Sequence, residues 1–399
     1  MKQEQFTPDA PGRLVPSRAF ERRTNQGRLE TVPVSTLAFI PDPLPPAVEW
    51  GNMYERLLPR LLEAQAAMSR LDGRARGVVE PRLLMGPFWR REARLSSLIE
   101  DTVTTPEKLA VAEAGGQLVD ADTREVVNYL RAFAHGRRSQ LPICSRLIRE
   151  MHERLLEGVR GGTDKPGFFR TEQNYIGRES MGVAQARFVP PPPGEVLDRC
   201  MHEFESFCNR ADGSIPDLIA IPLAHYQFEC VHPFRDGNGR LGRLLIVLSL
   251  HRAGVISEPW IYVSGFLEEH KAHYQDLLLR VSTHGDWQAW LEFMLRCFAE
   301  SAADASNRVE RMLRLRDELR AGVTKARSSA LMLRLIDRLF EYPAVTVRQA
   351  CELLGITHTA VRRHLAKLVD MGVLELVENT GKEQYWIARR ILEVSEGQA

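Results

Sequence analysis

Twelve consecutive residues, His232-Pro233-Phe234-Arg235-Asp236-Gly237-Asn238-Gly239-Arg240-Leu241-Gly242-Arg243, concentrate groups that handle phosphate. A helix arriving here cannot continue past Pro233, which lacks the backbone N–H and fixes φ. Gly237-Asn238-Gly239 permits positive φ and close approach of backbone to a ligand. A new helix is predicted from about Arg240, and a glycine-rich turn opening a helix is an anion site, because its amides and dipole face outward. Arg240 and Arg243, three apart, share one face at that mouth, and each offers forked donors to phosphate oxygens. Asp236 is a carboxylate beside clustered phosphates, the usual holder of a hydrated Mg²⁺. His232 titrates near neutrality and suits a general base. Phe234 reads as the loop's anchor in the core. Base, metal ligand, anion hole and two arginines together describe phosphoryl or nucleotidyl transfer. An isolated Asn-Gly is usually a plain turn, and a lone His before Pro usually has no chemistry.

Eight of these positions fit one pattern, H-x-F-x-[DE]-G-N-G-R-x-x-R, which resembles the signature of the Fic family. The likeness extends over about 50–302. Pro166-Gly-Phe-Phe-Arg170 followed by Gln173-Asn174-Tyr175-Ile176-Gly177 is similar to the family's flap hairpin. Ser96-Ser97-Leu98-Ile99-Glu100 resembles the inhibitory motif [ST]-x-x-x-E-[GN], placed N-terminal to the core as in class II members; Asp101 departs from it. The resemblance implies a protein adenylyltransferase that moves AMP from ATP to a Ser, Thr or Tyr hydroxyl of a target protein, the protein itself included. It implies ATP as substrate and Mg²⁺ as cofactor. His232 would be the base and Asp236 the metal ligand. Asn238 and the Gly237/Gly239 backbone would cradle the α-phosphate, Arg240 the β-phosphate, and Arg243 the γ-phosphate or, at rest, Glu100. Ile176 and Gly177 would align the target by strand addition. Tyr274 would line the adenine pocket, with Tyr262, Ser264 and His270 as further candidates; core packing accounts equally well for Tyr262. For Glu100 the alternative is a solvated surface glutamate. A homodimer is implied by the resemblance alone.

The elements around the loop follow from spacing and composition. Eight prolines in residues 1–46 exclude long helices there and suggest an extended arm. Helical periodicity begins at Tyr54 and recurs over about 87–99, 122–134 (with Asp122 as cap) and 145–156. Residues 161–167 read as a loop, 168–189 as a short hairpin, and Pro190–Pro193 as a rigid rod. Helices are predicted again at 195–208, 215–231, 240–253, 268–282 and 287–306. The expected fold is mostly α: a Fic helical domain with a β-hairpin flap, plus a C-terminal winged helix-turn-helix domain. The division is 1–46 arm, 47–306 Fic domain with the inhibitory helix region, 307–328 helical connector, and 329–399 winged-helix domain.

In the last unit, helices are predicted at 329–341, 347–354 and 357–371, followed by two strands around Gly381. Thr357 is a cap, and Val361, Leu365 and Leu368 form an apolar stripe. Thr359, Arg362, Arg363 and Lys367 remain for solvent or DNA. Residues 301–399 hold 16 Lys+Arg and 13 Asp+Glu, a small excess for a DNA binder; winged helices also dock proteins.

Composition bounds the rest. The 399 residues suggest about two to three domains. With 53 Lys+Arg against 52 Asp+Glu, any anion site must be local. No apolar run reaches the ~18 residues of a membrane span, and the N-terminus has no apolar signal core. Six scattered cysteines (Cys144, Cys200, Cys208, Cys230, Cys297, Cys351) without C-x-x-C read as reduced thiols of a cytoplasmic protein. Other readings remain open: an ATP-sensing DNA-binding regulator with weak catalysis, transfer of another nucleotide, or removal of AMP. The Gly239-Arg240 pair argues against the lysine-containing loop of the related Doc-type kinases.

Overall fold

In chain order the elements are β1 (Gly12–Asn25), β2 (Arg28–Pro41), α1 (Trp50–Arg76), α2 (Pro81–Ile99), α3 (Pro106–Glu113), α4 (Ala121–Arg138), α5 (Ser145–Leu155), α6 (Glu195–Cys208), α7 (Asp217–Val231), α8 (Asn238–Arg252), α9 (Ser264–Glu269), α10 (Lys271–His284) and α11 (Trp287–Lys325). There follow α12 (Ala330–Glu341), β3 (Ala344–Val345), α13 (Val347–Leu354), α14 (His358–Asp370), β4 (Glu375–Val377), β5 (Tyr385–Ile387) and α15 (Arg389–Glu396). This computed structural model describes residues 3–25, 28–78, 80–116, 120–159, 165–177, 182–210, 212–325, 330–377 and 384–397. The chain is mostly helical, and the expected Fic helices are present. It divides into one unit of Met1–Gln65, Ala132–Ala253 and Glu269–Cys297, and another of Ala66–Arg131, Gly254–Glu268 and Phe298–Ala399.

The first unit is built around α7 and α8. α7 is apolar on every side, with Leu218 to Phe228 almost continuously buried, so it occupies the centre of its unit. α8 packs along it, and Gly242 is where the two meet. A Cβ there would lie 3.1 Å from the Phe228 ring and closer still to the Glu229 carboxylate. α8 begins at Asn238, two residues before the predicted start. In the middle of α7, His225 shares a hydrogen bond with the Tyr274 hydroxyl at 2.8 Å and stacks against Trp290. The Trp290 indole N–H donates to the Pro222 carbonyl at 3.0 Å.

The proline-rich arm is a hairpin, which its prolines concealed. β1 and β2 pair antiparallel from Gly12 opposite Pro41 to Asn25 opposite Arg28. A two-stranded ribbon leaves an outer edge on each strand, and Pro16 and Pro33 are tolerated for that reason. Ala19 and Ala38 of the hairpin bury against Val183 and Val189. Among the described residues of the predicted flap hairpin over 168–189, the pairing is one antiparallel bridge, Ile176 with Phe188, plus a parallel bridge from Ala19 to Gln173. Side chains replace the ladder: Gln173 accepts from Ser17 at 2.7 Å and donates to the Pro190 carbonyl at 2.9 Å. Residues 161–164, part of the predicted loop, lie outside the described residues.

In the second unit, α4 is capped by Asp120, whose carboxylate accepts the Thr123 N–H at 2.7 Å. The predicted cap, Asp122, instead accepts from Val103 at 3.2 Å. Residues 287–306 and 308–325 belong to one helix, α11, because no glycine or proline interrupts 300–320. Helices α12, α13 and α14 stand where predicted, with Thr357 accepting from the Ala360 N–H at 3.4 Å and Val361, Leu365 and Leu368 fully buried. β3 and α15 were not anticipated; the sheet order is β3-β5-β4. Ser329 and Gly381 lie outside the described residues.

α2 ends in a Schellman motif. The Thr102 N–H donates to the Ser97 carbonyl and the Asp101 N–H to the Leu98 carbonyl, both at 3.0 Å, with Asp101 at φ 62. That left-handed position explains why a glycine or asparagine is the familiar residue after the motif's glutamate, and why aspartate is the next most tolerable. We expect Asp101→Gly to raise and Asp101→Val to lower stability by about 1 kcal/mol each, read from urea unfolding midpoints.

Burial first, and then the charge of Arg243, hold the His225 pKa down to about 3. The unfolded ring titrates near pH 6.5. Between those values the unfolded chain binds the additional proton, so the stability His225 contributes is complete above about pH 6.5 and is lost as pH falls toward about 3. Melting temperatures of the wild type should therefore fall more steeply from about pH 6.5 to 4 than those of His225→Gln. Parallel slopes would contradict this.

Candidate active site

The reversal between α7 and α8 takes six residues, and both of its ends are left-handed. His232 caps α7 at φ 47, ψ 61, with its N–H on the Phe228 carbonyl at 2.9 Å. Gly237 caps the start of α8 at φ 77, ψ 3. The first intrahelical bond of α8 runs from the Leu241 N–H to the Gly237 carbonyl at 3.0 Å. The amides of Asn238 and Gly239 precede it and have no acceptor within the helix.

Asn238 braces this turn. Its Oδ1 accepts the Phe234 N–H and its Nδ2 donates to the Phe234 carbonyl, both at 2.9 Å, and it is 1% exposed. The side chain therefore closes the loop, which leaves its backbone as the part available to a phosphate. Phe234 is fully buried, as predicted for the anchor, stacked on His152 at 3.7 Å with Phe169 at 5.2 Å. His152 is held neutral: burial lowers its pKa to about 4, opposed by its bond to the Asp236 backbone. The Gly167 N–H donates to His152 Nδ1 at 2.9 Å, which assigns the ring proton to Nε2, the donor to the Asp236 carbonyl at 3.0 Å.

Arg170 ties the loop from the other side. Its Nε donates to the His232 carbonyl at 2.9 Å and its Nη2 to the carbonyls of Pro191 at 2.5 Å and Val231 at 3.3 Å. Burial lowers its pKa to about 9, so it stays cationic at neutral pH. Asn174, two residues before Ile176, donates to the Phe234 carbonyl at 3.0 Å and so joins the flap segment to the loop. His152 and Arg170 were not singled out by sequence. Arg170 sits within the quoted Pro166–Arg170 stretch, whereas His152, beside the apolar stripe of α5, carried no distinguishing signal.

The reactive groups sit on this frame. His232 is half-buried, and its Nδ1 lies 3.3 Å from the Glu229 carbonyl. As donor there, Nδ1 leaves Nε2 with the lone pair. Asp236 is exposed; one carboxylate oxygen accepts the Gly237 N–H at 2.6 Å and the other lies 3.4 Å from the Arg240 guanidinium. Arg240 and Arg243 are 4% and 1% exposed. Ile176 is half-buried at its bridge to Phe188, and Gly177, at φ 151, is exposed beside it. The Tyr274 side chain is committed to His225 in the core and is only 3% exposed. His270 meets Phe293 edge-on at 6.3 Å.

Tyr262 and Ser264 belong to the second unit. The Tyr262 hydroxyl bonds Asp304 and accepts from Arg308, and Ser264 donates through N–H and Oγ to the buried carboxylate of Glu92 at 3.0 and 2.5 Å. Ser96 is fully buried, and Glu100 is exposed where α2 ends. On α14, Thr359, Arg362 and Arg363 are exposed and Lys367 is half-buried. Among the described residues no helix is long and apolar enough to cross a membrane.

Residues 58–138 fit the Fic/DOC family N-terminal model and residues 142–250 the Fic/DOC family model. Over 154 residues the chain is 33% identical to the protein adenylyltransferase Fic of Aedes aegypti, covering 38% of this chain and 26% of that protein. The corresponding protein of Culex quinquefasciatus is 32% identical over 152 residues, 37% of this chain and 26% of that one. The chain thus spans about a quarter of the length of the curated relatives it matches. A Fic family protein from Desulfovibrio desulfuricans G20 shares the fold, with a TM-score of 0.53 at 20% identity over 82% of this chain and 96% of that one. The chain thus contains a Fic/DOC N-terminal domain over residues 58–138 and a Fic/DOC domain over residues 142–250.

Proposed function

We propose that the protein is an adenylyltransferase that moves AMP from ATP to a Ser, Thr or Tyr hydroxyl of a protein. The observation that carries this reading is the braced turn, which holds a base, a carboxylate, helix-start amides and two arginines on one rigid frame. The amides of Asn238 and Gly239 receive the α-phosphate at the start of α8, where charge grows in the transition state. Arg240 takes the β-phosphate and Arg243 the γ-phosphate. His232 Nε2 removes the proton as the target hydroxyl oxygen attacks the α-phosphorus. The bond to the β-phosphate oxygen breaks, and pyrophosphate leaves. The Ile176–Phe188 bridge, with Gly177 exposed beside it, is where a target segment would add as a strand.

The donor set at Asp236 fits Mg²⁺. One carboxylate oxygen is held by Gly237 while the residue stays exposed, which suits an ion that keeps its waters and takes substrate phosphates as further ligands. Among the described residues no group of three His, Cys, Asp or Glu could cage a metal, in keeping with an ion that arrives with the triphosphate. Such an ion would neutralise charge on the phosphates.

We read Glu100 as the inhibitory anion, which substitutes for the γ-phosphate at Arg243 and holds ATP in an unproductive pose. Support comes from its place in the motif and from the Schellman end that fixes it. We also read residues 330–397 as a winged helix-turn-helix, on the grounds of the helices α12, α13 and α14 and a β3-β5-β4 sheet whose first strand lies between α12 and α13, with Thr359, Arg362, Arg363 and Lys367 as the face for DNA.

His232→Ala should abolish incorporation of label from α-labelled ATP while leaving ATP affinity within about threefold, since the base contributes to the transition state. Retained transfer would remove His232 as base. Glu100→Gly should raise self-labelling by at least about fivefold; labelling no better than wild type would refute the inhibitory reading.

A further inference from the structure

The helix that carries Glu100 is gripped by the C-terminal residues of the chain. Within the second unit, α2 approaches α12 so closely that a Cβ on Gly86 would lie 2.5 Å from the Glu341 carbonyl. One turn on, Arg90, 6% exposed, donates to that same carbonyl and pairs with Glu113. On the next residues, Arg91 and Arg94 both pair with the Glu396 carboxylate, Arg91 at 3.0 Å. The Glu396 side chain is 6% exposed, and Arg91 also donates to the Glu396 backbone carbonyl at 2.8 Å. Arg308 completes the grip by capping α15, donating to the carbonyls of Val394 at 3.0 Å and Ser395 at 2.8 Å. Gly397, at φ 82, lets that guanidinium approach. The ring of Tyr262 lies under both Arg91 and Arg308, at 5.1 and 5.5 Å.

These contacts are costly to break. A buried carboxylate shared by two arginines leaves uncompensated charge when either side is lost. They act on 86–94, and beyond them the last turn, in which Ser96, Ser97 and Ile99 are buried, continues the same helix to Glu100. α2 is therefore a lever held at its middle, with Glu100 at its end.

We propose that α12 and α15 form a latch on α2, and that Glu396 is the positioning residue that sets where Glu100 lies. The latch rests on the reading of Glu100 as inhibitory. On this view, whatever displaces α15 releases the inhibitory helix, and the C-terminal module is a regulatory input to nucleotidyl transfer.

The test compares wild type, Glu396→Gln, Glu100→Gly and the double variant for self-labelling from α-labelled ATP with Mg²⁺. Hydrogen exchange of residues 86–101 and 217–252 is measured alongside. Glu396→Gln should raise labelling by at least about fivefold, and should add nothing in the Glu100→Gly background, because both changes act through one element. Amides of 86–101 should exchange faster while those of 217–252 keep their protection. An active Glu100→Gly with a silent Glu396→Gln would overturn the latch alone. Additive effects, or protection lost equally from 217–252, would also overturn it. A silent Glu100→Gly would overturn the inhibitory reading, and the latch with it.

Discussion

The site depends on a backbone reversal between two buried helices. α7 and α8 are buried nearly all round, so their ends are fixed by packing, and the chain must turn between them in six residues. Left-handed geometry at both His232 and Gly237 makes that turn possible. A turn so tight exposes polar backbone within a core, and those groups must find partners. Asn238, Arg170, Asn174 and the neutral His152 provide them from three segments, the start of α8, the stretch 170–174 and α5. The side chains that face a ligand are thus a minority of those that make the site. The rest hold the amides of Asn238 and Gly239, and the imidazole of His232, where a nucleotide would need them.

The second unit follows a different logic. Its distinctive contacts are charged and largely buried: Glu92 with Ser264 and Tyr129, Arg308 with Asp304 and Tyr262, Glu396 with Arg91 and Arg94. Such pairs cost desolvation and contribute less net stability than apolar packing of equal volume. Their strength is directional. They specify where α2, α9, α11 and α15 stand, which suits the regulatory role proposed for α2.

Much of the site was legible because glycine, proline, arginine and histidine each have few reasons to occur in that order. His232 to Arg243 predicted the helix end, the turn and the new helix, and the turn stands within two residues of its expected place. The apolar stripe of Val361, Leu365 and Leu368 was legible for the same reason: periodicity reports burial directly. Partners distant in sequence were not legible. Nothing in the spacing tells that His152 stacks on Phe234, that Tyr274 spends its hydroxyl on His225, or that Glu396 reaches α2. The prolines hide the β1–β2 hairpin in the sequence, because proline reads as a breaker of regular structure, although an open ribbon edge accommodates it. Asp120 rather than Asp122, two residues on, is the cap, a distinction that only the hydrogen bond decides.

The central claim is that the braced turn binds a nucleoside triphosphate at the start of α8 and directs attack at its α-phosphorus. Intact-mass spectrometry of the Glu100→Gly protein, incubated with Mg²⁺ and each nucleoside triphosphate in turn, tests this most directly. The account expects an AMP adduct with ATP, absent when His232 is also replaced. A phosphate adduct, an adduct of another nucleotide alone, or an AMP adduct that survives loss of His232 would contradict it.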